Sequence, residues 1–409
     1  MRGQLGNLVK TPAAREGFSS DRISLSAETE SGRTAEPTAT RRRLPGWART
    51  LLVIFLLYLF LVGVRLLEGG IKGVSGGANE SLFEGITNPI AALAVGILAT
   101  VLVQSSSVTT STIVALVAAG SLPLETAVPM IMGANIGTTV TNTLVSLGHA
   151  RRSEEFRLAF TAATMHDFFN VLAVAIILPL ELAFGILSKP AAAMAEAFAG
   201  EVGGGRFDSP IKGAVKWGAG HIESFLELIT DNERALGFLL LIVGLAMIFF
   251  TLTYITKNMK VLIAARIERS LNAALAKSGV IGMSVGVVIT IAVQSSSITT
   301  SILIPLVASG LLLVQNAYPI TLGANVGTTV TALLAAFAAG TVDGLTIALV
   351  HLLFNLLGIL ILYPIPKIRV VPIKLAGWLA GVAAKRKWVA MAYVVGAFIA
   401  LPLLVIVVT

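Results

Sequence analysis

The chain has no cysteine among its 409 residues. Disulfides, thiol nucleophiles and thiolate metal sites are therefore excluded. Charge is scarce as well. Asp, Glu, Lys and Arg together make up 13% of the residues, against ~25% in soluble domains. Histidine occurs 4 times, and no His, Cys or carboxylate cluster has the spacing of a transition-metal site. The net charge of +8 raises nucleic acid as a partner. The basic residues instead gather in short segments between apolar runs, which argues against it.

What is abundant is apolar sequence: 55% of residues are hydrophobic and mean hydropathy is +0.86. Leu51–Leu67, Leu236–Ile255 and Val389–Val408 approach or reach the ~20 residues of a spanning helix. The expected fold is all-α and polytopic, embedded in the cell membrane. Residues 1–46 are polar and read as a disordered cytoplasmic tail. The first apolar run starts at Leu51, behind Arg41, Arg42, Arg43 and Arg49, so it reads as a retained span rather than a cleaved signal.

One polar phrase occurs twice inside this apolar sequence. Gln104-Ser105-Ser106-Ser107 precedes Thr109-Thr110-Ser111, and Gln294-Ser295-Ser296-Ser297 precedes Thr299-Thr300-Ser301. Hydrogen-bonding residues at membrane depth are costly unless something uses them. The repeat is larger than the phrase. Gly96–Thr141 aligns without gaps on Gly286–Thr331 at an offset of 190, with 25 of 46 positions identical. Asn135-Ile136-Gly137-Thr138-Thr139 pairs with Asn325-Val326-Gly327-Thr328-Thr329. His166 and Asn170 recur as His351 and Asn355 at an offset of 185. Two halves are expected, 47–235 and 236–409.

Pro89–Val103 spans about 22 Å as a helix, too short for the ~30 Å hydrocarbon core. Each phrase is therefore expected at the tip of a re-entrant hairpin. Glycines beside Asn135 and Asn325 weaken the following helix in each copy, so both are expected to be broken. With the N-terminus inside, the inner segments carry 14 Lys and Arg and the outer segments 6, five of those in the long stretch Ser188–Ala235. That bias supports this orientation and makes the second half inverted relative to the first. Inverted repeats with broken helices are a plan of secondary transporters.

The paired phrases, with Asn88-Pro89, Gly133–Asn142, His166-Asp167…Phe169-Asn170 and Gly323–Leu334, resemble the type II sodium-dependent phosphate cotransporters. The resemblance implies uptake of inorganic phosphate driven by Na+, and the inverted repeat suggests alternating access. It implies that the Gln-Ser-Ser-Ser regions form the phosphate and sodium sites. Phosphate is expected at Gln104, Ser105, Ser106, Ser107, Thr109 and Thr110 with Gln294, Ser295, Ser296, Ser297, Thr299 and Thr300. Oxygen ligands for Na+ are expected from Gln104, Ser107, Ser111, Asn135, Thr138 and Thr139, and from Gln294, Ser297, Ser301, Asn325, Thr328 and Thr329. His166, Asp167, Asn170, His351 and Asn355 are secondary candidates. Asp167 faces Leu352 in the alignment, so it belongs to one half only. The long cysteine-bearing outer loop of animal members is absent from Ser188–Ala235. The expected partners are phosphate, Na+ as coupling ion and the lipid bilayer, with no cofactor and no nucleic acid.

A channel, or a carrier for another solute such as a carboxylate, would share the broken helices; flux independent of Na+ would mark it. An intramembrane enzyme with a serine nucleophile and His166 fits less well. The serine blocks are duplicated, and no strained nucleophile elbow of the Gly-x-Ser-x-Gly kind is expected.

Overall fold

Long apolar runs with no strand-like alternation fold as helix, and no strand occurs among the described residues. The computed structural model describes residues 45–74, 88–202, 212–275 and 279–409. The tail expected over residues 1–46 lies almost wholly outside them. The first half runs α1 (Gly46–Val74), α2 (Pro89–Val103), α3 (Ser106–Ala118), α4 (Leu124–Gly137), α5 (Val140–Leu147), α6 (Ser153–Phe184), α7 (Ser188–Val202) and α8 (Lys212–Glu227). The second runs α9 (Glu233–Leu275), α10 (Gly279–Val293), α11 (Ser296–Ala308), α12 (Val314–Ala339), α13 (Val342–Leu362), α14 (Pro366–Arg369), α15 (Val371–Lys385), α16 (Trp388–Val395) and α17 (Leu401–Val408). A π-helical turn, Gly396–Ala400, joins the last two.

Among the described residues, six helical segments are long and apolar enough to cross a membrane: Gly46–Val74, Ser153–Phe184, Glu233–Ile255, Val314–Ala339, Val342–Leu362 and Trp388–Val408. α1 and α9 pack antiparallel through small residues. Gly63 lies against Gly244 and Gly70 against Gly237, where a Cβ would meet the partner backbone. Close backbone approach of this kind drives helix association where water offers no hydrophobic push.

The hairpins follow from the same logic. A Cβ at Gly133 would overlap the Leu93 carbonyl oxygen, and one at Gly137 would press on Ile97 and Thr100. Contacts therefore rise together along α2 and α4, so those helices run parallel, and α3 carries the chain back between them. The second copy repeats this: Gly323 meets Met283, and Gly327 meets Val287 and Thr290. Asn88 caps α2, accepting from Ile90 N at 2.8 Å, with Pro89 at the first helical position.

Two connecting stretches are helical, and one expectation is corrected. The stretch Ser188–Ala235 holds α7 and α8, and Tyr58 of α1 donates to Ala214 O of α8 at 3.1 Å. The basic segment after Leu362 folds as well, because α15 buries Leu379, Ala380 and Ala383 against Phe156 and Phe160 of α6. The correction concerns the broken helices. The first copy breaks at Thr138-Thr139, between α4 and α5, but α12 is continuous through Gly323–Thr329. A second donor sits at the break. Asn170 Nδ2 donates to Asn135 O at 3.0 Å, the carbonyl that Thr139 N–H would use. Thr139 N turns to Ile136 O at 3.5 Å. In the second copy Asn355 Nδ2 bonds within its own helix, to His351 O at 3.0 Å, and the ladder is left intact.

Beyond the spans, Arg152 donates to Glu155 at 2.7 Å, and that bond holds the Arg152 guanidinium above its ordinary pKa. Lys387 Nζ sits 3.8 Å from the Phe156 ring centroid, where desolvation lowers its pKa.

Candidate functional site

Each hairpin tip is a two-residue turn built from Gln and Ser. Gln104 and Gln294 both have φ 56°, and among the described residues they alone are non-glycine with positive φ. That conformation costs an ordinary residue ~1–2 kcal/mol, so the side chains are required there. Gln104 Nε2 donates to Val101 O at 2.6 Å, satisfying a carbonyl at the end of α2. Its Oε1 accepts from Thr141 Oγ1 at 2.9 Å, on the broken helix. Gln294 does the same with Ile291 O at 2.6 Å and Thr331 Oγ1 at 2.9 Å. Glycine would relax the backbone and lose both tethers.

Ser105 and Ser295 then cap α3 and α11, their hydroxyls accepting from Val108 N at 3.3 Å and Ile298 N at 3.4 Å. The amides of Ser106, Ser107, Ser296 and Ser297 open these helices and have no carbonyl one turn back to bond. Thr109 and Thr299 back-bond to Ser105 O and Ser295 O, each at 3.2 Å. The two tips differ in access: Gln104 is exposed while Gln294 is buried.

The halves meet through a polar network. His166 Nε2 lies 2.6 Å from Asn325 Oδ1, and His351 Nε2 lies 3.3 Å from Asn135 Oδ1. An amide oxygen only accepts, so each imidazole donates from Nε2. Asn325 Nδ2 continues to Asn170 Oδ1 at 3.0 Å. All six residues of this network, Asn355 included, are buried.

Two partners are not apparent from the sequence pattern. Asn142 Nδ2 donates to Thr300 Oγ1 at 2.7 Å, and Ser301 Oγ donates to Asn142 Oδ1 at 3.0 Å. The aligned residue is Ala332, so Ser111 Oγ, counterpart of Ser301, stays buried without a partner. The one signal for Asn142 is this departure from the repeat. Tyr393 donates to Asp167 Oδ2 at 3.0 Å, and nothing in the sequence points across the 226 positions that separate them. Asp167 Oδ1, Asn355 Oδ1 and Thr100 Oγ1 are also buried without partners. Unpartnered oxygens at depth are rare, and their chemistry suits a hard cation.

Thr138, Thr139, Thr328 and Thr329 back-bond to Ala134, Ile136, Ala324 and Val326 carbonyls at 2.7–3.1 Å. Their oxygens keep lone pairs for a second partner. The letters Gly282-Met283-Ser284-Val285-Gly286 do match a Gly-x-Ser-x-Gly string, contrary to expectation. The segment is regular helix inside α10, and Ser284 Oγ donates to Val280 O at 3.1 Å, so no nucleophile elbow exists there.

The Na+/Pi-cotransporter family profile matches residues 59–197 and 247–369. Sodium-dependent phosphate transport protein 2A of Mus musculus is 34% identical over 426 residues, covering 87% of this chain and 66% of that protein. The 2A protein of Oryctolagus cuniculus is 33% identical, covering 88% and 69%. Sodium-dependent phosphate transport protein 2B of Homo sapiens is 32% identical, covering 88% and 65%. The chain thus spans about two thirds of the length of these relatives. No solved structure matches it.

Proposed function

This chain belongs to the Na+/Pi-cotransporter family, and we propose that it is a secondary active transporter coupling Na+ to inorganic phosphate in symport. The observation that carries the reading is the pair of hairpin tips, each opening a helix with two free amides beside serine and threonine hydroxyls. Helix N-termini with hydroxyl donors hold oxyanions. No Lys or Arg lies in either tip or in the Asn–His network, so an anion there depends on dipoles and on co-bound cations.

Phosphate would take the amides and hydroxyls of Ser106, Ser107, Ser296 and Ser297, with Ser105, Ser295, Thr109, Thr110, Thr299 and Thr300 around them. Na+ would take oxygens: Ser111, Ser301, Asn135, Asn325, the back-bonded threonines, and the second lone pair of each Gln amide. Asp167 is a further oxygen donor in the first half. A cation ~4 Å from the anion contributes ~4 kcal/mol at an effective dielectric constant of ~20. Na+ therefore raises phosphate affinity, and phosphate raises Na+ affinity by the same factor.

The halves 47–235 and 236–409 would form an inverted repeat with opposed hairpins and a cytoplasmic N-terminus. Loop charge supports the orientation. The reciprocal His–Asn contacts support a two-fold relation between halves. Movement of one unit against the other would then open the site to each side in turn.

Calorimetric titration of phosphate into the purified protein tests this. Affinity should rise at least ~10-fold when choline is replaced by Na+, about 1.4 kcal/mol. Equal affinity in both buffers would overturn the coupling.

A further inference from the structure

Away from the tips, at the start of the second hairpin, lies a cavity of about 260 Å³ with a mixed polar and apolar wall. Gly279, Asn316, Tyr318, Tyr363 and Arg369 line it. Three features make it a built site. Arg369 is half-buried, and its guanidinium carbon lies 5.0 Å from the Tyr363 ring centroid. Among the described residues it makes no ion pair with a carboxylate. Tyr318 is wholly buried, yet its hydroxyl has no hydrogen-bond partner. The Tyr363 hydroxyl occupies the space that a Cβ at position 279 would need, so glycine there admits a second phenol.

A guanidinium held over the Tyr363 ring keeps its N–H groups for a bidentate oxyanion. The phenols and the Asn316 amide add neutral donors. This is the donor set of a phosphate group, and the cavity wall includes no Asp or Glu. The cavity also lies close to the transport network. The Tyr318 ring is edge-on to Phe169, with centroids 6.3 Å apart, and Phe169 precedes Asn170.

We propose that this cavity is a second phosphoanion site, at the mouth of the second hairpin, holding either free inorganic phosphate or the phosphate of a lipid headgroup. The first source rests on the transport reading above; the second does not.

The test uses the full chain purified in detergent, with Arg369→Gln, Arg369→Lys and Tyr318→Phe. Equilibrium dialysis measures labelled inorganic phosphate in Na+-free choline buffer, and native mass spectrometry measures dioctanoyl phosphatidic acid. Phosphate binding in choline, weakened about tenfold in Arg369→Gln and Tyr318→Phe and partly kept in Arg369→Lys, supports the site with free phosphate as ligand. Binding of phosphatidic acid alone, weakened in the same variants, supports the headgroup source. Binding of neither probe to monodisperse wild-type protein, or equal binding by all variants, overturns the site. Should Tyr318→Phe lose its fold, the half-buried Arg369→Gln carries the test. The transport reading fails separately, through absence of Na+-dependent uptake by the wild-type protein, which leaves the choline result standing.

Discussion

His166 Nε2 lies 2.6 Å from Asn325 Oδ1, and the repeated pair, His351 Nε2 and Asn135 Oδ1, lies at 3.3 Å. A residue of the first half thus grips the Asn of the second, and the reverse. Reciprocal contacts of this kind are what the proposed two-fold relation between the halves would give. Asn325→Ala would leave the His166 N–H and Asn170 Oδ1 unpaired, at a cost of ~1–3 kcal/mol. In a double-mutant cycle with His166→Phe, thermal unfolding in detergent should show a coupling above ~0.5 kcal/mol. Strict additivity would contradict the bond.

Gln104 and Gln294 hold a strained backbone and tether two helices. Replacing Gln294 by glycine should leave stability within ~1 kcal/mol, because strain is relieved as hydrogen bonds are lost. Replacement by alanine keeps the strain and loses the bonds, so it should melt earlier. Melting curves of the two variants decide this, and the reverse order would refute the role given to φ.

Gly323 admits the Met283 carbonyl where a Cβ would overlap it, whereas Gly377 on α15 has nothing within 4 Å. Gly323→Ala should be strongly destabilising. Gly377→Ala should be neutral or stabilising by ~0.5–1 kcal/mol, the helical preference of alanine over glycine. Size-exclusion profiles after heating report both.

The break between α4 and α5 depends on Asn170 occupying the Asn135 carbonyl. Asn170→Leu removes that donor, so Thr139 N–H should recover its partner one turn back. Hydrogen exchange should show slower exchange at Thr139 in the variant. Unchanged exchange would mean that the helix breaks for another reason.

Duplication makes much of this architecture legible in the amino-acid sequence itself. Every signal in the Gln-Ser-Ser-Ser phrases, Asn135/Asn325 and His166/His351 appears twice in the same order, which singles out the tips and the network. Features confined to one half are not legible in that way. Asn142 aligns with Ala332, and Tyr393 reaches Asp167 from the last span. The continuity of α12 is hidden because the same Gly-Ala-Asn letters serve both copies; the difference lies in where the Asn170 and Asn355 amides point. α15 reads as a basic loop because its lysines mask the small apolar face packed on Phe156 and Phe160.

Phosphate uptake into proteoliposomes, with an inward Na+ gradient against an equal K+ gradient, tests the central claim most directly. Wild-type protein should concentrate labelled phosphate only with Na+. Replacing Ser106 and Ser296 by leucine should abolish uptake in protein that still elutes as a single folded species. Uptake equal in Na+ and K+, or full Na+-driven uptake by both serine variants, would contradict the account.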